Sequence, residues 1–237
     1  MKNVSTIVLG ATLLSAVACG NNSGNSSSPQ SNSLLLEAGH YEAKLAPLNA
    51  HLSGDVSATA LVKVKGDEFT VEMKVNGSGS QMIHAQSIHL LDSCPTLSSD
   101  TNKDGVIDAV EGQQSYGSVL IPLDGNLNQQ IEKEQRFPQS DFSGNYYYRQ
   151  TASMLEMMTD LLGTDQDPKD NVVKLKSRLD LIGRQVVIYG ISSDTALPET
   201  VGTIHGEAKH SSLPIACGSL IKIAVTEEGS NTDGGKH

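Results

Sequence analysis

Apolar residues recur at every second position through much of the chain. Between 68 and 75, Phe69, Val71, Met73 and Val75 alternate with Glu68, Thr70, Glu72 and Lys74. Between 172 and 181, Val173, Leu175, Leu179 and Leu181 alternate with Lys174, Lys176, Arg178 and Asp180. Side chains spaced in this way stand on opposite faces of a strand, so the pattern predicts half-buried antiparallel strands. Further strands are expected at 41–45, 58–64, 82–90, 118–123, 146–149, 185–189 and 220–225. Turn residues punctuate them: Gly66-Asp67, Gly77-Ser78-Gly79, Asp124-Gly125-Asn126 and Leu197-Pro198. Many short strands with turns between them predict a mainly β fold, an antiparallel barrel or sandwich.

One segment follows the helical period instead. Met154, Leu155, Met157, Met158, Leu161 and Leu162 lie on one helical stripe, Ser153 and Glu156 suit a capping box, and Gly163 suits the C-terminal stop. This predicts one short helix. Its methionines are read as adaptable core filler rather than as a copper(I) site.

The two ends differ from the middle. Lys2, an apolar run from Val4 to Leu14, and Ala16-Val17-Ala18-Cys19 form a lipoprotein-type signal, too short to span a bilayer, which takes about 20 apolar residues. Residues 1–18 are therefore expected to be removed and Cys19 lipidated; cleavage after Ala18 leaving a free thiol is the alternative. Gly20 rather than aspartate follows the cysteine, which favours the outer membrane. Residues 20–33 contain neither charge nor an apolar side chain, so 19–33 is expected to be a disordered tether, and 229–237 a disordered tail. One β domain is expected over 34–228.

The formal charge of −10 becomes more negative once Lys2 is removed, and basic clusters are lacking, so nucleic acid is not an expected partner. With Cys19 lipidated, Cys94 and Cys217 remain in an oxidising compartment. A disulfide between them is the simplest outcome, two buried free thiols the alternative.

The strongest chemical signal is the twelve-residue stretch 100–111, which fills the diagnostic positions of an EF-hand calcium loop. Asp100, Asn102 and Asp104 supply side-chain oxygens at positions one, three and five, and Gly105 permits the sharp turn at six. The Val106 carbonyl serves position seven, Asp108 position nine, and Glu111 closes the site as a bidentate ligand. Calcium wants six to eight oxygens, which this spacing wraps around one point. No amphipathic helix precedes Asp100, only a short helix fits before Gly117, and no second hand is present. A structural staple binding at about 10⁻⁴–10⁻³ M is expected rather than a sensor.

Several segments together resemble CHRD (chordin-like) domains and a related group of bacterial exported proteins. They are Tyr41 to Asn49, His84 to His89 followed by Ser93-Cys94-Pro95, and the calcium loop with Glu111-Gly112 and Tyr116-Gly117. Val186 to Gly190 and Leu213 to Gly218 belong to the same likeness, and with the early histidine pair are also similar to copper/zinc superoxide dismutases. The resemblance implies a superoxide dismutase-like β-barrel or sandwich with an inserted calcium loop, and supports the Cys94–Cys217 bond. It does not carry over the copper chemistry. Ser87 and Tyr189 stand where imidazoles are expected, no histidine lies between His89 and His205, and Pro214 occupies the place of the superoxide-guiding arginine.

His84, His89, His205 and His210 are read as scattered residues without a shared ion, because a five-residue spacing within a strand points to opposite faces. No nucleophile motif or phosphate-cradling glycine loop is present, and the acidic run 165–170 is read as a solvated loop. The sequence thus favours a calcium-stabilised, non-catalytic envelope lipoprotein. It would be held to the membrane by its N-terminal lipid and act as a binding or structural module toward an envelope or extracellular protein. The alternatives are a copper/zinc-dependent redox or metal-handling protein and a cell-surface adhesion module.

Overall fold

The alternation at 68–75 becomes a nine-residue strand, Glu68–Asn76 (β3), paired antiparallel with Ser57–Lys65 (β2) in unbroken register from Ser57 opposite Asn76 to Lys65 opposite Glu68. In the computed structural model, residues 36–127, 136–157, 180–204 and 206–224 are described, all of them within the compact unit Ser33–His237. Gly66 and Asp67 are left to make the hairpin turn, and Gly66 takes φ 59°, as tight two-residue hairpins require. Phe69, Val71, Met73 and Val75 point inward, each at most 1% exposed, while Lys63, Glu72 and Arg149 form an ion-paired outer surface.

Gly39–Pro47 (β1) is the hinge of the architecture. Residues 39–45 pair with β2, whereas Ala46 and Pro47 pair with Cys217 and Ala216 of Pro214–Ser219 (β8). On one side, β1, β2, β3 and Tyr146–Ser153 (β6) run in order, with Ile221–Ile223 (β9) also against β1. On the other lie β8, Gln185–Tyr189 (β7), Gln86–His89 (β4) and Val119–Pro122 (β5). The whole path reads β5-β4-β7-β8-β1-β2-β3-β6, every pairing antiparallel. The mainly β, curled architecture expected from the alternation is what forms.

The curl brings the two ends of the path together through inward tyrosines. Tyr146 Oη donates to Gln86 Oε1 at 2.9 Å, and Tyr148 Oη donates to the Asp124 carbonyl at 2.8 Å. A buried hydroxyl is costly unless paired, so these bonds let large amphipathic side chains close the core without an orphaned group.

Several boundaries differ from the sequence expectation. The strand expected over 82–90 is confined to β4, because residues 82–84 bond instead to the loop at 138–140: His84 N–H donates to the Pro138 carbonyl and Met82 N–H to Ser140 Oγ. β6 runs past residue 149 to Ser153. β8 went unexpected, and β9 is the short form of the strand expected at 220–225. The helix begins as expected, with helical backbone at 154–157 and Ser153 Oγ accepting from Glu156 N–H at 3.3 Å. Asp67 of the β2–β3 turn caps it too, its carboxylate accepting from Leu155 N–H. Met154 and Met157 are at most 1% exposed, which is the core role read for them.

The expected signal 1–18, Cys19 and the expected tether, the expected strand 172–181 up to residue 179, the expected helix beyond residue 157, the run 165–170, His205 and the expected tail 229–237 lie outside the described residues. Among the described residues, no helix is long and apolar enough to cross a membrane.

Candidate metal centre

The loop at 100–111 adopts the turn its sequence dictates. Gly105 takes φ 86°, and Lys103, which the spacing did not single out, takes φ 61°. The short side chains then bond to the loop's own backbone. Asp100 accepts from Asp104 N–H at 3.2 Å and Gly105 N–H at 2.9 Å, Asn102 Oδ1 from Asp104 N–H at 2.9 Å, and Asp104 Oδ1 from Val106 N–H at 2.9 Å. Val106 anchors the loop in the core at 2% exposure.

Beyond the turn, Asp108 caps the helix Ala109–Tyr116 (α1), its Oδ1 accepting from Glu111 N–H at 2.9 Å while Glu111 Oε2 accepts from Asp108 N–H at 3.2 Å. The same Glu111 reaches back to the start of the loop, its Oε1 accepting from Thr101 N–H, Thr101 Oγ1 and Asn102 N–H at 2.7, 2.9 and 3.2 Å. The structure therefore places all six expected positions in one loop, yet turns side-chain oxygens of Asp100, Asn102, Asp104, Asp108 and Glu111 onto N–H and O–H donors. Among the described residues, no three carboxylate, imidazole or thiolate groups are gathered into a ready-made cage.

The donor chemistry still suits a hard cation. Each ionised carboxylate has about four lone-pair directions, so oxygens of Asp100 and Asp104 that accept one hydrogen bond retain acceptor capacity. Glu111 Oε1, with three donors, is saturated; bidentate ligation by Glu111 would mean releasing the Thr101 and Asn102 contacts. Burial opposes ionisation of Asp104, but hydrogen bonds involving Thr200, Val106 and Asn102 outweigh it and hold its carboxyl below the usual range.

Residues that sequence reasoning passed over tie this loop down. Asn49, in the left-handed region at φ 52°, uses its amide in both directions on Ile107: Nδ2 donates to the Ile107 carbonyl at 2.9 Å and Oδ1 accepts from Ile107 N–H at 2.8 Å. Its Nδ2 also donates to the Pro214 carbonyl at 3.1 Å, linking the loop to β8. Asparagine tolerates this backbone conformation better than other side chains do. Asn49→Ala leaves three buried backbone groups without partners and should cost about 2–4 kcal/mol. Urea unfolding in the presence of a calcium chelator checks this, and a loss below about 1 kcal/mol would remove Asn49 as an anchor.

The outward face of β4 and β7 lies against the end of α1. His89 Nδ1 lies 2.9 Å from the Gly117 carbonyl, which fixes the proton on Nδ1 and leaves Nε2 as acceptor. Ser87 Oγ and Tyr189 Oη both sit on Nε2, at 2.8 and 2.9 Å. The Tyr116 ring meets His89 edge-on, with centroids 4.5 Å apart. Burial pushes His89 down to about 4, against weaker opposing bonds to the Gly117 and Ser118 backbone. The phenols of Tyr116 and Tyr189 are pushed up by burial in the same cluster.

The Cys94–Cys217 disulfide forms, with Cα atoms 5.8 Å apart, and fastens the segment before the loop to β8. His84, fully buried, stacks on Tyr146 with its Nδ1 3.0 Å from the Tyr189 carbonyl; His210 Nε2 lies 2.9 Å from the Thr195 carbonyl. His84, His89 and His210 are thus engaged separately, without a shared centre.

Fold and site together define an antiparallel β protein with an oxygen-rich loop pinned beside a buried imidazole–hydroxyl cluster. In comparison with known proteins, no protein-family model matches the chain and no curated protein matches it.

Proposed function

We propose that this protein is an envelope lipoprotein, anchored through Cys19, whose β domain is a non-catalytic binding or structural module stapled by calcium. The observation that carries the reading is the loop itself. Asp100, Asn102, Asp104, Asp108 and Glu111 sit on a turn already formed, with Lys103 and Gly105 at positive φ and Val106 locked in the core. Four carboxylates in one short loop repel one another, and a divalent cation removes that cost.

The imidazole–hydroxyl cluster supports the non-catalytic half of the proposal. A redox copper site draws on several imidazoles around one ion. Here one buried imidazole has its free lone pair directed at two hydroxyls, a donor set that serves packing better than metal redox chemistry.

The test is a metal inventory of the purified protein after dialysis against calcium, copper and zinc together, read by elemental mass spectrometry. About one calcium per chain with negligible copper is expected; stoichiometric copper would overturn the non-catalytic reading. Asp104→Ala and Glu111→Ala should each abolish the rise in melting temperature on adding calcium. An equal rise in the variants and the parent would place the cation elsewhere.

A further inference from the structure

We propose that Thr200 and Gly202 are positioning residues of the calcium loop, forming a strap that takes the place of the missing second hand. This rests on the calcium reading above. The strap's bonds to the loop join residues 96 and 94 apart in sequence, and its middle residue anchors it: Val201 is buried in the core at 3% exposure. The residues on either side reach the loop. Thr200 Oγ1 donates to Asp104 Oδ2 at 2.6 Å, and Gly202 N–H donates to Asp108 Oδ2 at 2.5 Å. Asn102 Nδ2 approaches the Thr200 carbonyl at 3.5 Å.

These contacts commit one oxygen of Asp104 and one of Asp108 to the strap. The opposite oxygen of each stays with the loop, Asp104 Oδ1 on Val106 N–H and Asp108 Oδ1 on Glu111 N–H. Both strap donors are neutral. A lysine in the same place would offset the loop's charge and compete with a cation, whereas a hydroxyl and an amide orient the carboxylates and leave their charge available. The close approach also needs glycine: a Cβ on Gly202 would lie 3.1 Å from Asp108 Oδ2 and 3.0 Å from Val110 Cγ2. Orienting ligands before the ion arrives lowers the ordering cost of binding.

The experiment is calorimetric titration of the full chain with calcium alone, for the parent and for Thr200→Val, Thr200→Ser, Gly202→Ala and Glu111→Gln. Thr200 is exposed, and valine nearly matches its shape, so the calcium-free melting temperature should stay that of the parent. Thr200→Val and Gly202→Ala should each weaken calcium binding about tenfold, the scale of one hydrogen bond to a charged group, and Thr200→Ser should keep the parental affinity. If the parent and Glu111→Gln show the same uptake or none, the calcium reading itself fails and the strap's role with it. If the parent binds and Glu111→Gln does not, but Thr200→Val binds like the parent, the strap alone is wrong. A fall in calcium-free stability as large as the fall in the calcium-bound form would also overturn it, since the strap would then be mere packing.

Discussion

Replacing both Cys94 and Cys217 with serine should lower stability by about 4–5 kcal/mol in the chain-entropy picture of a cross-link. The bridge joins residues 123 apart, so it removes many open conformations from the unfolded chain. In the folded state it holds the segment leading into the loop against β8, where Cys217 is buried beside Val187 and Tyr116. The measurement is urea unfolding of parent and double variant with calcium chelated in both, so that cation binding does not confuse the comparison. A difference below about 1 kcal/mol would show that the unfolded chain is already restrained without the bridge. Calcium should still stabilise the double variant, because every loop oxygen remains in place.

The second large effect is expected on acidification. An exposed histidine takes up its proton near pH 6.5, but His89 is pushed down to about 4 by burial. Above pH 6.5 the ring is neutral in both folded and unfolded chains, and its contribution to stability is fully present. Between about 6.5 and 4 only the unfolded chain binds the proton, so stability falls with pH; below 4 both forms are protonated and the loss levels off. The interval corresponds to about 3 kcal/mol. His84, also lowered chiefly by burial, adds to the loss in the same direction. Chelator-treated parent and His89→Gln should be compared by urea unfolding at pH 7.5 and 4.5. Glutamine carries no titrating charge, so the variant should lose markedly less stability than the parent on going to the lower pH. An identical loss in both would assign the acid sensitivity to groups other than His89, His84 among them.

The sequence was most legible where one face of a strand is wet. Glu68, Glu72 and Lys74 betray β3 because they alternate with its buried residues, and Thr70 keeps the polar alternation although it is buried. β8 carries no such signal: Pro214, Ile215, Ala216, Cys217 and Gly218 are all buried, so no polar face marks the strand. Gly218 is small for a reason invisible in the chain, since a Cβ there would lie 2.5 Å from the Lys44 carbonyl. The calcium-type turn was readable because its residues are contiguous and each position has its own chemistry. Its fastenings were not, because Asn49, Thr200 and Gly202 reach it across long stretches of sequence and carry no ligand spacing of their own. Ser87 and Tyr189 stand out in the sequence as replaced ligand positions and His89 as a retained one, but their meeting at a single nitrogen depends on how β4 and β7 pair.

The double allegiance of β1 has a consequence for how the chain is assembled in time. Its first partner, β2, follows almost at once, whereas β8 and β9 are among the last residues of the described fold. A chain emerging N-terminus first can build the meander of β1, β2 and β3 early, yet one margin of β1 and one of β7 stay unpaired until residues 214–223 arrive. Pairings this distant in sequence are slow to form. Through that interval the exposed margins invite pairing with other chains, so a product truncated before β8 should be far more prone to aggregate than one lacking only the tail beyond β9.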